Sequence, residues 1–444
     1  MNDKYDVVVA GAGCAGTVFS TRLAARGFRV LLIERKREEE LGPDSLDLVD
    51  SEAFEFSGVG LPMPPEACSQ IRRMEVVSPD AATRFNLDRF PYRVVDRRLL
   101  ARRLMEGALE AGVEVKTQCI VGGAEIDNGF VVSVQTDRGN FPCRLAVGAS
   151  GLERVICRDI PGGMGIPRRL RNSDYISIYR ETRDIIPGAL ENGMEPGLFK
   201  YYIGRYGGYS WVYPDEDGTV DIGTGVQDIP GAPDPREIVL GYIRSNPSVG
   251  EKVLHRAGGR MPTRRPLNTM VTSGFIVIGD AACQSTPFIS RGVGGAMEGA
   301  YLAADAAAFA LEAGDVSIRG LWSYNYEYIR ERGAHMAALD CLRIFLQNIP
   351  EKEFSWSMAK GLIGKQEISS ALMGRFEMPT AQSRMKSIIK GLRSVPMTVR
   401  FENALKQTQK VLELYCQYPR EYDPPEYDEW ARKADYLFED VERI

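Results

Sequence analysis

The 444-residue sequence predicts an α/β protein built in three parts. Three observations carry that reading. A short apolar strand near the start runs straight into a glycine-rich turn and a helix. A second strand-to-glycine junction of the same kind recurs at Gly279. Between the two lies a long stretch in which apolar and polar residues alternate. A parallel sheet interrupted in sequence by an antiparallel one, followed by a helical tail, accounts for all three.

Taken in order, Tyr5–Ala10 is a β-branched run of the kind that parallel strands bury on both faces. Gly11-Ala12-Gly13-Cys14-Ala15-Gly16 follows, and Thr17 to Arg26 reads as a helix with Gly27 where a C-cap glycine belongs. Phe28–Ile33 is the next strand, closing on Glu34. Residues 35–90 read as loop-rich, with Pro43, Pro62, Pro64 and Pro65. Beyond Pro91, Asp96 is an N-cap for a helix with Leu99, Leu100, Leu104 and Ala108 on its apolar side. Strands at 114–120, 130–136 and 145–149 return to the first sheet. From about 180 to 270, segments such as Lys200–Ile203, Tyr209–Val212 and Val220–Val226 suit an antiparallel sheet. Phe275–Ile278 is again a strand, and an alanine-rich helix runs from Gly294 to Glu312. The rest, 316–420, reads as helices broken near Pro350 and Pro379.

The expected layout is a discontinuous nucleotide-binding domain (residues 1–175 and 270–315, with 60–95 leaning toward the substrate side), an antiparallel-sheet substrate domain (176–269) and a helical C-terminal region (316–444). That arrangement holds a ligand between domains.

Composition removes several alternatives. A net charge of −5 argues against nucleic acid as a partner. No apolar run is long enough to span a membrane, and Val7–Val9 leads into glycine rather than a cleavage site, so a cytoplasmic protein is expected. Eight cysteines are scattered singly and only His255 and His335 are present, so no metal site is expected. No GxSxG elbow occurs. The chemistry is expected to come from a bound cofactor.

The first motif supplies a place for one. Gly11 makes the tight turn, Gly13 lets backbone approach a pyrophosphate, and Gly16 permits close helix–strand packing. Cys14 and Ala15 open the helix whose N-terminus faces the phosphates. Glu34, beside Arg35, would accept from the adenosine ribose and repel a ribose phosphate. The first domain is thus Rossmann-like and binds a dinucleotide.

The second motif, Gly274 to Ala282, resembles the Gly-Asp motif of flavoproteins of the glutathione-reductase superfamily. The resemblance implies FAD, with Gly279 and Asp280 at the ribityl chain and Arg97 as a further cofactor contact. Gly292, Val293 and Gly294 would then open a helix toward the flavin's pyrimidine edge, where partial positive charge stabilises the reduced anion.

A third motif, Gly207-Gly208-Tyr209-Ser210-Trp211-Val212-Tyr213-Pro214 followed by Asp221–Val226, looks like the YxWxFP signature of the geranylgeranyl reductase family. The resemblance spans residues 5–330, and it implies that Tyr209, Trp211, Tyr213 and Pro287 line an apolar substrate pocket. Alternating aromatics on a strand also serve as plain core. The sequence departs from the family at Tyr206, Ser150, Cys283 and Ser290-Arg291, and the loop Leu41–Leu46 lacks the family's cysteine. Cys283 is a candidate catalytic thiol or a small buried hydrophobe. Arg291 is a contact for an anionic group or a surface cation.

The resemblance implies an oxidoreductase in which reduced FAD delivers hydride to a carbon–carbon double bond of a hydrophobic, isoprenoid or lipid substrate, fed by an external electron donor. A flavin monooxygenase on the same fold is the alternative. A halogenase is disfavoured because no lysine lies between Lys36 and Lys116. An electron-transfer flavoprotein is the third reading. Met373–Met378 and Leu412–Pro419 either cap a lipid tunnel, with peripheral membrane contact, or pack as ordinary helices.

Overall fold

The computed structural model describes residues 4–71, 73–88, 92–186, 194–289, 291–379 and 395–442. Pro91 and Ser290 lie outside them. Among the described residues, three sheets and a set of C-terminal helices make an α/β architecture.

The first sheet is built on β1 (Tyr5–Ala10), with β2 (Val30–Ile33) on one side and β11 (Gly139–Gly148) on the other, all parallel. Next to β2 runs β8 (Glu114–Lys116), and next to β11 runs β18 (Phe275–Val277), again parallel; β17 (Val271–Thr272) closes that edge antiparallel. Val7, Val8 and Val9 are fully buried, as the β-branched run requires of a central strand. The first half of β11 turns away to pair antiparallel with β10 (Phe130–Thr136), which pairs with β9 (Val121–Asp127). Helix α1 (Cys14–Ala24) packs on α5 (Val293–Ala313), whose alanines allow a close approach. Arg22 fixes the pair by two hydrogen bonds to Asp305, at 2.8 and 2.9 Å.

The second sheet has the order β16 (Val249–Pro262), β12 (Tyr175–Ile185), β15 (Thr219–Gln227), β14 (Gly208–Pro214), β13 (Leu198–Arg205), β5 (Arg73–Val77), β6 (Arg84–Asp88). It is antiparallel except where β5 joins β13. A small third sheet, β3 (Leu46–Asp50), β7 (Tyr92–Asp96) and β4 (Ala67–Gln70), sits beside helix α2 (Ser51–Phe56).

Residues 35–90 therefore are not the loop-rich stretch expected: four strands and α2 occupy them. β5 joins β13, far along the sequence, while β6 pairs with β5 in a hairpin whose charged and polar residues concealed it. Helix α1 starts at Cys14 rather than Thr17, and the strand expected at 114–120 is confined to 114–116. Asp96 does cap α3 (Arg97–Glu110), accepting from the Arg98 and Leu99 N–H groups at 2.8 and 3.0 Å. A helix absent from the expectation, α4 (Pro235–Ser245), lies against β12 and β15, started by Pro235 and capped by Asp234.

The C-terminal helices are α6 (Trp322–Tyr328), α7 (Ala334–Gln347), α8 (Glu351–Lys360), α9 (Lys365–Leu372), α10 (Val395–Cys416) and α11 (Pro424–Val441). Tyr415 and Tyr418, in the segment that the sequence offered as a tunnel cap, are buried against Trp430 with ring centroids 5.0 and 4.7 Å away. That segment is core. No described helix is long and apolar enough to cross a membrane.

Candidate active site

The parallel strands deliver Gly11, Glu34, Ala149 and Gly279 to one edge of their sheet, the carboxyl end where ligands of such folds bind. Gly11 has φ +110°, and a Cβ there would stand 2.5 Å from the Ala149 carbonyl oxygen. A side chain on Gly16 would strike the Gly11 carbonyl. Gly13 differs: a Cβ there would meet nothing within 4 Å. Two of the glycines thus pack the turn, while the third faces open space at the N-terminus of α1.

Glu34 closes β2 and folds back on the turn. One carboxylate oxygen accepts from the Ala12 N–H and the other from the Lys36 N–H, each at 2.9 Å. A cavity of about 330 Å³ opens here, walled by Gly11, Gly13, Cys14, Glu34, Arg35 and Arg97 among others. Arg35 forms an exposed pair with Glu153. Burial raises the Cys14 thiol above its ordinary value, so it stays protonated.

Gly279 and Asp280 lie beneath the same edge. Gly279 adopts φ +65° directly over the Ala15 methyl group, and its N–H donates to Gln284 at 2.6 Å. One Asp280 carboxylate oxygen lies beside Gly292, where a Cβ would come within 3.0 Å of it. Burial raises the Asp280 pKa, against the opposing pull of Arg97. No described residue donates a hydrogen bond to the Asp280 side chain. Gly292 is the N-cap of α5 and Val293 its buried first residue; Gly294 is pressed against the Ala53 methyl, 3.0 Å from where its own Cβ would be.

Arg97, the first residue of α3, is held by Asp47 at 2.7 Å. It lines the first cavity and also a second of about 260 Å³; Pro43 is the other residue shared by both. The second cavity has one aromatic wall. Alternate residues of β13 and β14 face it, giving a row of Phe199, Tyr201, Tyr209, Trp211 and Tyr213 with neighbouring ring centroids 5.3–6.2 Å apart. The opposite wall is β3, whose Leu46, Asp47 and Leu48 line it. Tyr213 shares a hydrogen bond of 3.2 Å with Ser69, and burial pushes its phenol up to about 12.

Beneath the aromatic row runs a polar brace. The Trp211 indole N–H donates to Asp221 at 2.5 Å; Arg180 donates twice to the same carboxylate, at 3.1 and 2.6 Å. Arg180 also reaches the Leu46 carbonyl at 2.5 Å, tying the large sheet to β3. Sequence reasoning missed Arg180 and the β3 wall. The available signal was Asp221 itself, an acid in an otherwise apolar strand.

Two candidates stand apart from this assembly. Pro287 lines a separate cavity of about 40 Å³ behind Tyr201 and Tyr209, and its carbonyl accepts from Thr263 at 2.6 Å. Cys283 is fully buried at φ +59° and lines neither large cavity. Burial pushes its thiol up to about 11, so it is neutral. Its surroundings are those of a small buried hydrophobe.

Geometry and comparison with known proteins converge on one class. The sequence profile of the family described as Lycopene cyclase protein matches residues 6–163. A digeranylgeranylglycerophospholipid reductase of Sulfolobus acidocaldarius is 29% identical over 442 residues, covering 97% of each chain. Among solved structures, a geranylgeranyl bacteriochlorophyll reductase-like protein of Thermoplasma acidophilum superposes with a TM-score of 0.72 at 18% identity, over 90% of this chain and 99% of its own. A flavin-dependent brominase superposes with a TM-score of 0.62 at 18% identity, over 92% of this chain and 99% of its own. The fold is therefore that of the flavin-dependent oxidoreductases. Within that class the chain is similar to the reductases that act on geranylgeranyl groups.

Proposed function

We propose that the protein is an FAD-dependent reductase that saturates carbon–carbon double bonds in the isoprenoid chains of a lipid. The observation that carries this reading is the meeting of two unlike cavities at Arg97 and Pro43, one walled by glycine turn and carboxylate, the other by aromatic rings.

The first cavity suits FAD on two counts: the open space over Gly13, which any side chain would fill, and beyond it the Asp280 carboxylate, to which no described residue donates a hydrogen bond. Gly11, Gly13, Cys14, Ala15 and Gly16 would cradle the pyrophosphate at the N-terminus of α1. Glu34 would take the adenosine ribose, with Arg35 at the rim, and Asp280 with Gly279 the ribityl hydroxyls. Burial lowers the Arg97 pKa, but Asp47 together with Asp280 and other neighbours more than offsets it, so the guanidinium keeps its charge. Gly292, Val293 and Gly294 would present the N-terminus of α5 to developing negative charge. When bound, FAD would supply the hydride, its two electrons coming from an external donor, while an acid or water would supply the proton for the other carbon.

Residues of the second cavity do the remaining work. Tyr209, Trp211 and Tyr213 offer flat apolar faces along which a polyene chain lies, and with Leu46, Leu48 and Leu372 they exclude water. The Asp221 brace holds Trp211 in one rotamer. The relatives named for prenylated phospholipids support a lipid over a small polar substrate.

The test is anaerobic. Purified protein reduced with dithionite is mixed with a geranylgeranylated glycerophospholipid, and products are read by mass spectrometry. Gain of two hydrogens per bond supports the reading. Oxygen-dependent hydroxylation with no saturated product would replace it with a monooxygenase, and denatured protein that releases no FAD would remove the cofactor assignment.

A further inference from the structure

Four guanidinium groups stand on the wall of the aromatic cavity: Arg97, Arg180, Arg260 and Arg291. Three are neutralised, by Asp47 at 2.7 Å, Asp221 at 2.6 Å and Asp228 at 2.5 Å. Arg291 has no carboxylate partner among the described residues. Its guanidinium lies over the Tyr92 ring, 3.6 Å from the centroid, and Nη2 donates to the Leu372 carbonyl. Nη1 is buried with no acceptor among the described residues.

A second orphan lines the same cavity. Tyr201 is 5% exposed, and its hydroxyl is buried with no partner among the described residues. Burial raises its pKa well above the ordinary phenol value, with Arg291 near enough to oppose that shift, so Tyr201 is a neutral O–H donor. Behind Arg291, a cavity of about 70 Å³ holds Asp50 and Glu298. Burial raises the pKa of both carboxyls, against the pull of Arg291 on Asp50 and of Arg332 on Glu298. An unpaired buried donor costs about 1–3 kcal/mol, and a charged one more. A cavity that carries two of them is built for an acceptor.

We propose that Arg291 and Tyr201 form a recognition site for an anionic oxygen group, a phosphate or carboxylate, carried by the amphiphile whose apolar chain lies against Tyr209 and Trp211. The inference rests on the reading of this cavity as the substrate pocket. It makes the enzyme selective for charged prenyl compounds over their neutral alcohols, because only an anion gives Nη1 and the phenol an acceptor while cancelling the guanidinium charge. Arg97 and Arg180 do not compete for it, since each already holds a carboxylate.

The test measures binding to the oxidised protein as purified, by calorimetry, with geranylgeranyl phosphate and geranylgeraniol as probes. Wild type is expected to prefer the phosphate by about 10-fold or more, the range for a hydrogen bond to a charged group. Arg291→Gln should lose that preference and bind the alcohol as before; Arg291→Lys should keep part of it, and Tyr201→Phe should lose a smaller share. Equal affinity of wild type for both probes overturns the proposal but leaves the pocket reading standing. Binding of neither probe overturns the pocket reading itself. A flavin midpoint potential that moves in Arg291→Gln while probe selectivity stays would assign the anion to the reduced flavin instead, and the proposal fails.

Discussion

Gly223 lies directly beneath the indole of Trp211, so close that a Cβ at that position would overlap the six-membered ring. The two residues face each other across β14 and β15, and the missing side chain is what lets the tryptophan lie flat on the sheet. Gly223→Ala should therefore lift the ring into the aromatic cavity. Overpacking of this kind costs about 1–3 kcal/mol. The expected outcome is a lower urea midpoint and a raised KM for a prenylated substrate, with flavin content unchanged. An unaltered KM would mean that the ring does not border the substrate.

Gly13 and Gly16 should separate folding from cofactor binding. Gly16→Ala drives a methyl into the Gly11 carbonyl and toward Ala149, and the α1–β1 packing must open to admit it. Gly13→Ala puts its methyl into open space at the N-cap of α1, where glycine and alanine differ by about 1 kcal/mol or less. We expect Gly13→Ala to keep near-wild-type thermal stability when stripped of flavin, yet to bind FAD at least tenfold more weakly. Gly16→Ala should be destabilised even without flavin. Titration of apoprotein with FAD, followed by flavin fluorescence, checks both.

The contrast between those glycines also shows what was legible in the sequence. A turn that needs φ +110° at Gly11, and a helix that begins at once, leave a local pattern that can be read without any partner. The aromatic row was legible for the same reason: Tyr209, Trp211 and Tyr213 alternate on one strand, so they share a face. Arg180 was not, because it reaches Leu46 across 134 residues and nothing local marks either end. The strands β3 to β6 were hidden likewise, since charged and polar residues on an edge such as Arg84–Asp88 read as loop until the partner strand is known. Arg291 could be singled out as a cation near the glycine motif. Only the third dimension reveals that its neighbours in the cavity are paired and it is not.

Glu298 should give the fold a pH dependence of unusual sign. It is 8% exposed, and burial pushes its carboxyl up to about 7 despite Arg332 at 2.7 Å. The ordinary value is 4.5. Between those two values the folded protein keeps a proton that the unfolded chain releases, so stability falls as pH rises through the window and the full penalty is present above it. Glu298→Gln, which retains a neutral acceptor for Arg332, should remove this slope. Above the window the variant should be more stable than wild type, by about 1–3 kcal/mol. Urea unfolding at both ends of the window reads the difference; parallel pH profiles for the two proteins would sink the prediction.

Asp221 should prove more important to the site than any of the aromatic residues it supports. Its carboxylate, 6% exposed, takes hydrogen bonds from Trp211, from two nitrogens of Arg180 and from Thr182 at 3.2 Å. Removing it by Asp221→Ala strands a half-buried guanidinium and an indole N–H together. Breaking one partner of a buried pair typically costs about 3–5 kcal/mol, and an unpaired arginine would also be left beside the aromatic row. Asp221→Asn keeps one acceptor oxygen, which Trp211 and Arg180 Nη2 can share, and loses the charge and the acceptor for Arg180 Nε, so it should cost less than the alanine. Arg180→Met with Asp221→Leu, which deletes both charges and keeps apolar volume, should recover part of the loss, because a hydrophobic pair of similar size can match a buried salt bridge. Chemical denaturation of the three variants orders them: the alanine variant least stable, the double variant and the asparagine variant above it. Were the alanine variant as stable as wild type, the Arg180–Asp221 pair would be a solvated surface contact rather than the brace under the pocket.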